Sequence, residues 1–153
     1  MRPADCDVLP PVGGVRLRGS KIAQNGVSAA VDRAGDAWVT LKLDTPDGKE
    51  WLGVSVDARC CDGAFIEFAE EGLTIVSVEL KGGHVEDGVE QLLSARRAGS
   101  ALAEGCTVRE WRLRVVSRSG APGRGWQRLV ARHPELALKT GRRYDVRSDS
   151  CGG

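Results

Sequence analysis

Two apolar runs separated by a short acidic turn constrain this chain more than any other feature. Gly63-Ala64-Phe65-Ile66-Glu67-Phe68 and Leu73-Thr74-Ile75-Val76-Ser77-Val78-Glu79-Leu80 flank Glu70-Glu71-Gly72. Both runs are rich in β-branched and aromatic residues, and a glycine-containing connection of this length joins antiparallel strands. The period then changes. Between residues 84 and 97, Val85, Val89, Leu92, Leu93 and Arg96 recur at three and four residues, which predicts a helix with Gly99 as its end. Gly88 within it costs about 1 kcal/mol against alanine. A hairpin followed by an amphipathic helix implies that the helix packs on an apolar sheet face.

The other segments extend this pattern. Residues 38–43 read as a strand, Pro46-Asp47-Gly48 as a turn and residues 51–56 as the partner strand of a further hairpin. Residues 15–21 predict either a short strand or a basic DNA-facing arm, and residues 27–31 another strand. Residues 107–117 predict a strand. Trp126, Leu129, Val130 and His133 fit one face of a second helix ending at Pro134, and residues 143–146 predict a last strand. The expected fold class is mixed α/β, with a mixed central sheet flanked by helices.

A chain of 153 residues suits one domain with a real core. Residues 1–14, with two adjacent prolines, read as an irregular arm, residues 15–147 as the folded unit and residues 148–153 as a flexible tail. No apolar span is long enough to cross a membrane, and the first fifteen residues lack a signal-like hydrophobic stretch. The expectation is a cytoplasmic protein without membrane contact. Five cysteines without a CxxC pair argue against a disulfide framework and for buried free thiols. Adjacent Cys60 and Cys61 point to opposite faces if they lie in a strand, which makes them poor joint ligands for one zinc ion.

The chemistry concentrates at the end of the second apolar run. Side chains alternate along a strand, so Glu79 and Lys81 share a face while Val78 and Leu80 turn to the other. Counting from the turn near Glu71, Asp62 lies nine residues back and Lys81 ten forward, which sets Asp62 beside the Glu79–Lys81 segment. Two carboxylates, with the Leu80 backbone carbonyl as a further oxygen donor, suit Mg²⁺ or Mn²⁺. Lys81 is placed to orient a water or offset charge on a phosphorane. Such an ion would polarise a phosphoryl oxygen and acidify an attacking water. The plain alternative is chance, since Glu-x-Lys is a common tripeptide.

On Asp62, Glu79 and Lys81 the chain resembles the PD-(D/E)xK nuclease superfamily, which includes restriction endonucleases and Holliday-junction resolvases. The resemblance covers residues 51–118. It implies a restriction-endonuclease-like core, a metal-dependent endonuclease activity on DNA, and metal ligation through Asp62, Glu79 and the Leu80 carbonyl. Gln91 matches the polar residue that many members place on the following helix. Members commonly carry a further acidic residue in an N-terminal helix. This chain has no clear helix there, and Glu50 is a weak substitute.

Charge suggests where DNA would lie. The net charge is +1, yet residues 107–147 carry eleven Arg/Lys against three acids, a local charge of +8 that leaves −7 elsewhere. Arg112 and Arg114 share a strand face, Arg124, Arg128 and Arg132 recur every four residues, and Arg142 and Arg143 follow. With Lys21 and His84 they are the expected phosphate-backbone contacts. The alternative is a salt-bridged surface. Likewise His84 is a phosphate contact or a surface capping residue, Glu86 and Glu90 a second metal site or a solvated acidic face, and His133 and Trp126 are packed side chains. Three accounts stay open: a DNA endonuclease, with a homodimer among its expected states; a non-catalytic nucleic-acid- or protein-binding module; and a cysteine-dependent hydrolase pairing Cys60 or Cys61 with His84.

Overall fold

The protein is described here by a computed structural model covering residues 13–31, 38–81, 84–118 and 122–149. Strand β1 (Arg16–Leu17) is followed by the hairpin β2 (Lys21–Gln24) and β3 (Val27–Ala30), then by β4 (Trp38–Lys42) and helix α1 (Pro46–Leu52). Strands β5 (Gly63–Ala69) and β6 (Gly72–Lys81) lead into α2 (Asp87–Leu102), and β7 (Val108–Ser117) into α3 (Trp126–Arg132). Strands β8 (Leu136–Thr140) and β9 (Arg143–Asp145) and a 3-10 turn (Val146–Ser148) complete the described elements.

Among the described residues, six strands form one mixed sheet in the order β1-β4-β5-β6-β7-β8. The first four neighbours are antiparallel, whereas β6, β7 and β8 run parallel through the crossovers α2 and α3. The β5–β6 hairpin expected from the two apolar runs is present, with Gly63 opposite Val78. Leu73, Ile75, Leu113 and Val115 face Val89, Leu92, Trp126 and Leu52 of the three helices. On the opposite face, Val76, Val78, Leu80 and Val116 meet Ile22, Val27, Ala29 and Tyr144. Those residues belong to a second sheet, β2-β3-β9, in which β3 and β9 are parallel. Helices thus flank one face of the mixed sheet and a small sheet covers the other.

Four expectations need correction. Residues 51–56 do not pair with β4. Thr45 Oγ1 accepts from the Gly48 amide at 2.9 Å, Pro46 opens the first turn and Gly53 closes it at φ 75°, so capping makes residues 46–52 a helix. Strand β4 pairs with β5 instead. Gly99 does not end α2, which runs on to Leu102; it lies against Trp111 instead, where a Cβ would sit 3.1 Å from the ring. Residues 136–140, without a strand assignment in the sequence, form β8 beside β7. Cys106 is disulfide-bonded, against the expectation of free thiols, whereas Cys60 and Cys61 are free and buried.

The expected arm and tail fall mainly on residues 1–12 and 150–153, outside the described residues, as do Gly82 and Gly83. The described end of the tail is anchored. Asp149, with its side chain 3% exposed, receives Arg114 Nε at 2.6 Å, Lys139 Nζ at 2.8 Å and the Tyr144 hydroxyl. No helix is long and apolar enough to cross a membrane among the described residues.

Candidate active site

The register that follows from the hairpin brings Asp62 against Glu79. The Asp62 amide donates to Glu79 Oε1 at 3.1 Å, and the Leu80 amide donates to Asp62 Oδ2 at 2.7 Å. Both carboxyl groups are buried, at 8% and 6% exposure, on the helix-bearing face of the sheet. Helix α2 covers them closely. A Cβ on Gly88 would lie 2.8 Å from Glu79 Cγ and 3.5 Å from Lys81 Cγ, so the helix reaches this depth only with glycine there. Gly63, next to Asp62, is constrained from the opposite side, where a Cβ would meet Ile22 Cδ1 at 2.2 Å.

Electrostatics follow from this geometry. Burial, the charge of Asp62 and their mutual hydrogen bond push the Glu79 carboxyl up to about 9, while the Lys81 ammonium acts against the shift. Burial also raises Asp62, partly offset by the Leu80 amide and Glu79. Without a compensating cation, Glu79 therefore keeps the proton at neutral pH. One oxygen of each carboxylate is committed to a backbone amide, which leaves the second oxygen of each for a shared proton or a cation. No cluster of three or more metal-ligating side chains occurs among the described residues. A hard cation that retains most of its waters is held by as few as one or two carboxylates, so the donor set fits Mg²⁺ or Mn²⁺.

Leu80 has a more complex place than expected. Its carbonyl accepts from Asn25 Nδ2 at 2.9 Å, so a ligand role would use the second lone pair of an oxygen already engaged. Asn25, at φ 55° in the β2–β3 turn, was not singled out by the sequence; an Asn-Gly pair between two short apolar segments was the available signal. Gln91 lies one turn beyond Gly88 on α2 and is partly buried, with an Oε1 that has no hydrogen-bond partner among the described residues. Glu50, on α1, is exposed, and no described contact joins it to the carboxylates. Asp44, at the end of β4, raises Asp62 through its charge and lies 3.5 Å from Lys49, which makes it the acidic neighbour that sequence reasoning missed.

The expected DNA contacts divide. Arg112 and Arg114 are turned inward, because they alternate with Leu113 and Val115 and share the face of Val116, which meets the second sheet. Arg114 is 2% exposed and bonds Asp149 and the Leu113 and Glu135 carbonyls, while Arg112 bonds Glu110 at 2.7 Å and the Asp149 carbonyl. Lys21 opens β2, at the opposite end of its hairpin from Asn25. Arg124 precedes α3, so that only Arg128 and Arg132 lie on that helix, exposed. Arg142 and Arg143 are exposed at the β8–β9 connection, and His84 is exposed at φ 52° before α2.

The remaining alternatives separate as well. Glu86 does not join Glu90: its Oε1 accepts from the Gly123 amide, whereas Glu90 lies 4.0 Å from Arg97. Trp126 is a core side chain, as expected, and His133 lies 3.8 Å from Glu135. A hydrogen bond from Cys61 lowers the Cys60 thiol, and the same bond with burial holds Cys61 well above the usual range. The apolar cavity between α1, α2 and the sheet contains neither carboxylate, and its Ser77 hydroxyl already accepts from the Trp111 indole.

No family model, curated protein or solved structure matches this chain.

Proposed function

We propose that the chain is a divalent-metal-dependent endonuclease of the PD-(D/E)xK type that hydrolyses DNA phosphodiesters. The observation that carries this reading is the pair of hydrogen bonds that tie Asp62 to Glu79 and Leu80 at adjoining strand ends, with Lys81 on the same face two residues beyond Glu79. Burying two carboxyl groups together is costly unless a proton or a cation lies between them. The meander β4-β5-β6, the crossover α2 and the parallel β7 support a restriction-endonuclease-like core, to which the second sheet is an addition.

When bound, Mg²⁺ or Mn²⁺ supplies charge neutralisation at the phosphate and an acidified water. The protein's part is to fix the geometry. Asp62 and Glu79 each use one oxygen to lock the hairpin and present the other. The Leu80 peptide is held on both sides, by Asp62 at its amide and Asn25 at its carbonyl, which fixes the spacing of Glu79 and Lys81. Lys81 provides an ammonium that orients a water or offsets charge on the phosphorane. Gly88 lets α2 seal the carboxylates from the helix side.

The test is cleavage of labelled linear, nicked, single-stranded and four-way-junction DNA in Mg²⁺, Mn²⁺ or EDTA. Metal-dependent cutting that disappears in Glu79→Ala and Lys81→Ala is the expected result, with divalent-ion binding lost in Asp62→Ala. Folded protein that neither cuts DNA nor binds the ion overturns the proposal. A non-catalytic nucleic-acid-binding module is the second reading, favoured by the engagement of the Leu80 carbonyl with Asn25. It predicts DNA binding without cleavage.

A further inference from the structure

The parallel strands β6, β7 and β8 end together at the edge that bears the carboxylate pair. Lys81 is in register with Ser117, and Ser117 with Thr140. A cation stands at each strand end. Lys81 closes β6, Arg118 follows Ser117 directly, and Arg142 follows Thr140 by two residues. Local contacts hold the last two at this edge. The Gly141 amide donates to the Ser117 carbonyl at 2.9 Å, and the Ser28 amide to the Arg142 carbonyl at 2.9 Å. The Arg118 guanidinium lies over the Asn25-Gly26 turn, where a Cβ on Gly26 would be 3.2 Å from Nη1. That turn is the one whose Asn25 binds Leu80. Both arginines are exposed, and neither has an ion-pair partner among the described residues. By contrast, Arg109, Arg112, Arg114 and Lys139 of the same basic region are paired internally.

We infer that Lys81, Arg118 and Arg142 form a track for the phosphates of one DNA strand, which starts at the carboxylate pair and crosses the ends of β7 and β8. Neighbouring strands lie about 4.8 Å apart, so three successive strand ends span about 10 Å, the axial rise of about three nucleotides. The substrate would leave the site over the main sheet's edge, beside the β2–β3 hairpin, rather than along α3. Arg118 and Arg142 carry no base-reading geometry, so the contact is to the backbone and indifferent to sequence. This inference rests on the nuclease reading only for the strand's starting point, since binding is measured without cleavage.

The test is fluorescence anisotropy with labelled single-stranded and duplex oligonucleotides in EDTA, across a salt series. The proteins are native, Arg118→Ala, Arg142→Ala, the double variant, the Arg128→Ala/Arg132→Ala pair and Arg118→Lys. Each single change on the edge should weaken binding several-fold on every sequence. It should also reduce the salt slope by about 0.7 on single strands and about 0.9 on duplex. Arg118→Lys should retain most of the binding, and the α3 pair should bind as native. Native affinity and slope in the Arg118 and Arg142 variants, or loss only in the α3 pair, overturns the track; so does a native protein that does not bind DNA. Binding through the track without metal-dependent cutting instead overturns the nuclease reading alone.

Discussion

Asp62 and Glu79, seventeen residues apart, hold each other through the backbone: the Asp62 amide binds Glu79 Oε1, and the strand that carries Glu79 returns the Leu80 amide to Asp62 Oδ2. The arrangement brings two buried acids together and assigns the spare proton to Glu79. It turns a strand register into an electrostatic property that solution experiments can read.

Stability without metal should fall as pH rises. The Glu79 carboxyl titrates near 4.5 when unperturbed and at about 9 in the folded protein, so between those values the folded state holds a proton that the unfolded state has released. The slope approaches about 1.4 kcal/mol per pH unit at most. Urea unfolding in EDTA should thus give lower stability at pH 8 than at pH 6. Glu79→Gln should flatten that slope, and Mg²⁺ should flatten it in the native protein. An unchanged slope in Glu79→Gln would place the shared proton elsewhere.

Gly88→Ala should damage the protein although the position is helical. Helix propensity alone favours alanine by about 1 kcal/mol. The added methyl would meet Glu79 Cγ at 2.8 Å, so α2 must lift or the carboxylate must move. Overpacking of this kind costs about 1–3 kcal/mol. The expected result is a lower Tm together with weaker divalent-ion binding by calorimetry; a stabilised variant would mean that α2 does not press on the site.

Asn25→Gly separates fold from site. Glycine accepts the φ of 55° without strain, so the β2–β3 turn persists while the bond to the Leu80 carbonyl is lost. Stability should change by about 1 kcal/mol or less. The cleavage rate should fall more than DNA affinity in the same variant. Equal losses in rate and affinity would show that Asn25 acts on substrate binding and not on the Glu79–Lys81 spacing.

Asp149 should anchor the C-terminal end of the fold. Lys139, Tyr144 and Arg114 hold its carboxyl down to about 2, against 3.8 unperturbed. Its contribution is therefore complete above pH 4 and is lost as pH falls through 3.8 toward 2. Asp149→Ala, or truncation after Ser148, leaves Arg114 buried without its partner and should cost about 3–5 kcal/mol in urea unfolding. A cost below about 1 kcal/mol would mean that Arg114 finds a substitute partner or reaches water.

The elements that were legible in the sequence are those whose signal is local. The β5–β6 hairpin, α2, β7 and α3 each show a period within their own residues, and counting from the Glu70-Glu71 turn was enough to set Asp62 beside Glu79. Where a local signal was ambiguous, the reading failed. Trp51 and Leu52 resemble a strand until Thr45 and Gly53 are seen to cap a helix. Gly99 resembles a helix end until Trp111 is seen to rest on it.

The amino-acid pattern by itself therefore determined the hairpin, the crossover helix and the meeting of Asp62, Glu79 and Lys81 on one side of a strand pair, because alternation and turn length act between neighbours. Only the tertiary structure decided which cations are spent inside. Arg112 and Arg114 alternate along β7 as any exposed pair would, but β2, β3 and β9 fold over that face and bring Asp149 to them. Which face of a sheet is covered depends on segments distant from β7 in sequence, β2 and β3 before it and β9 after it, and no period within β7 encodes it.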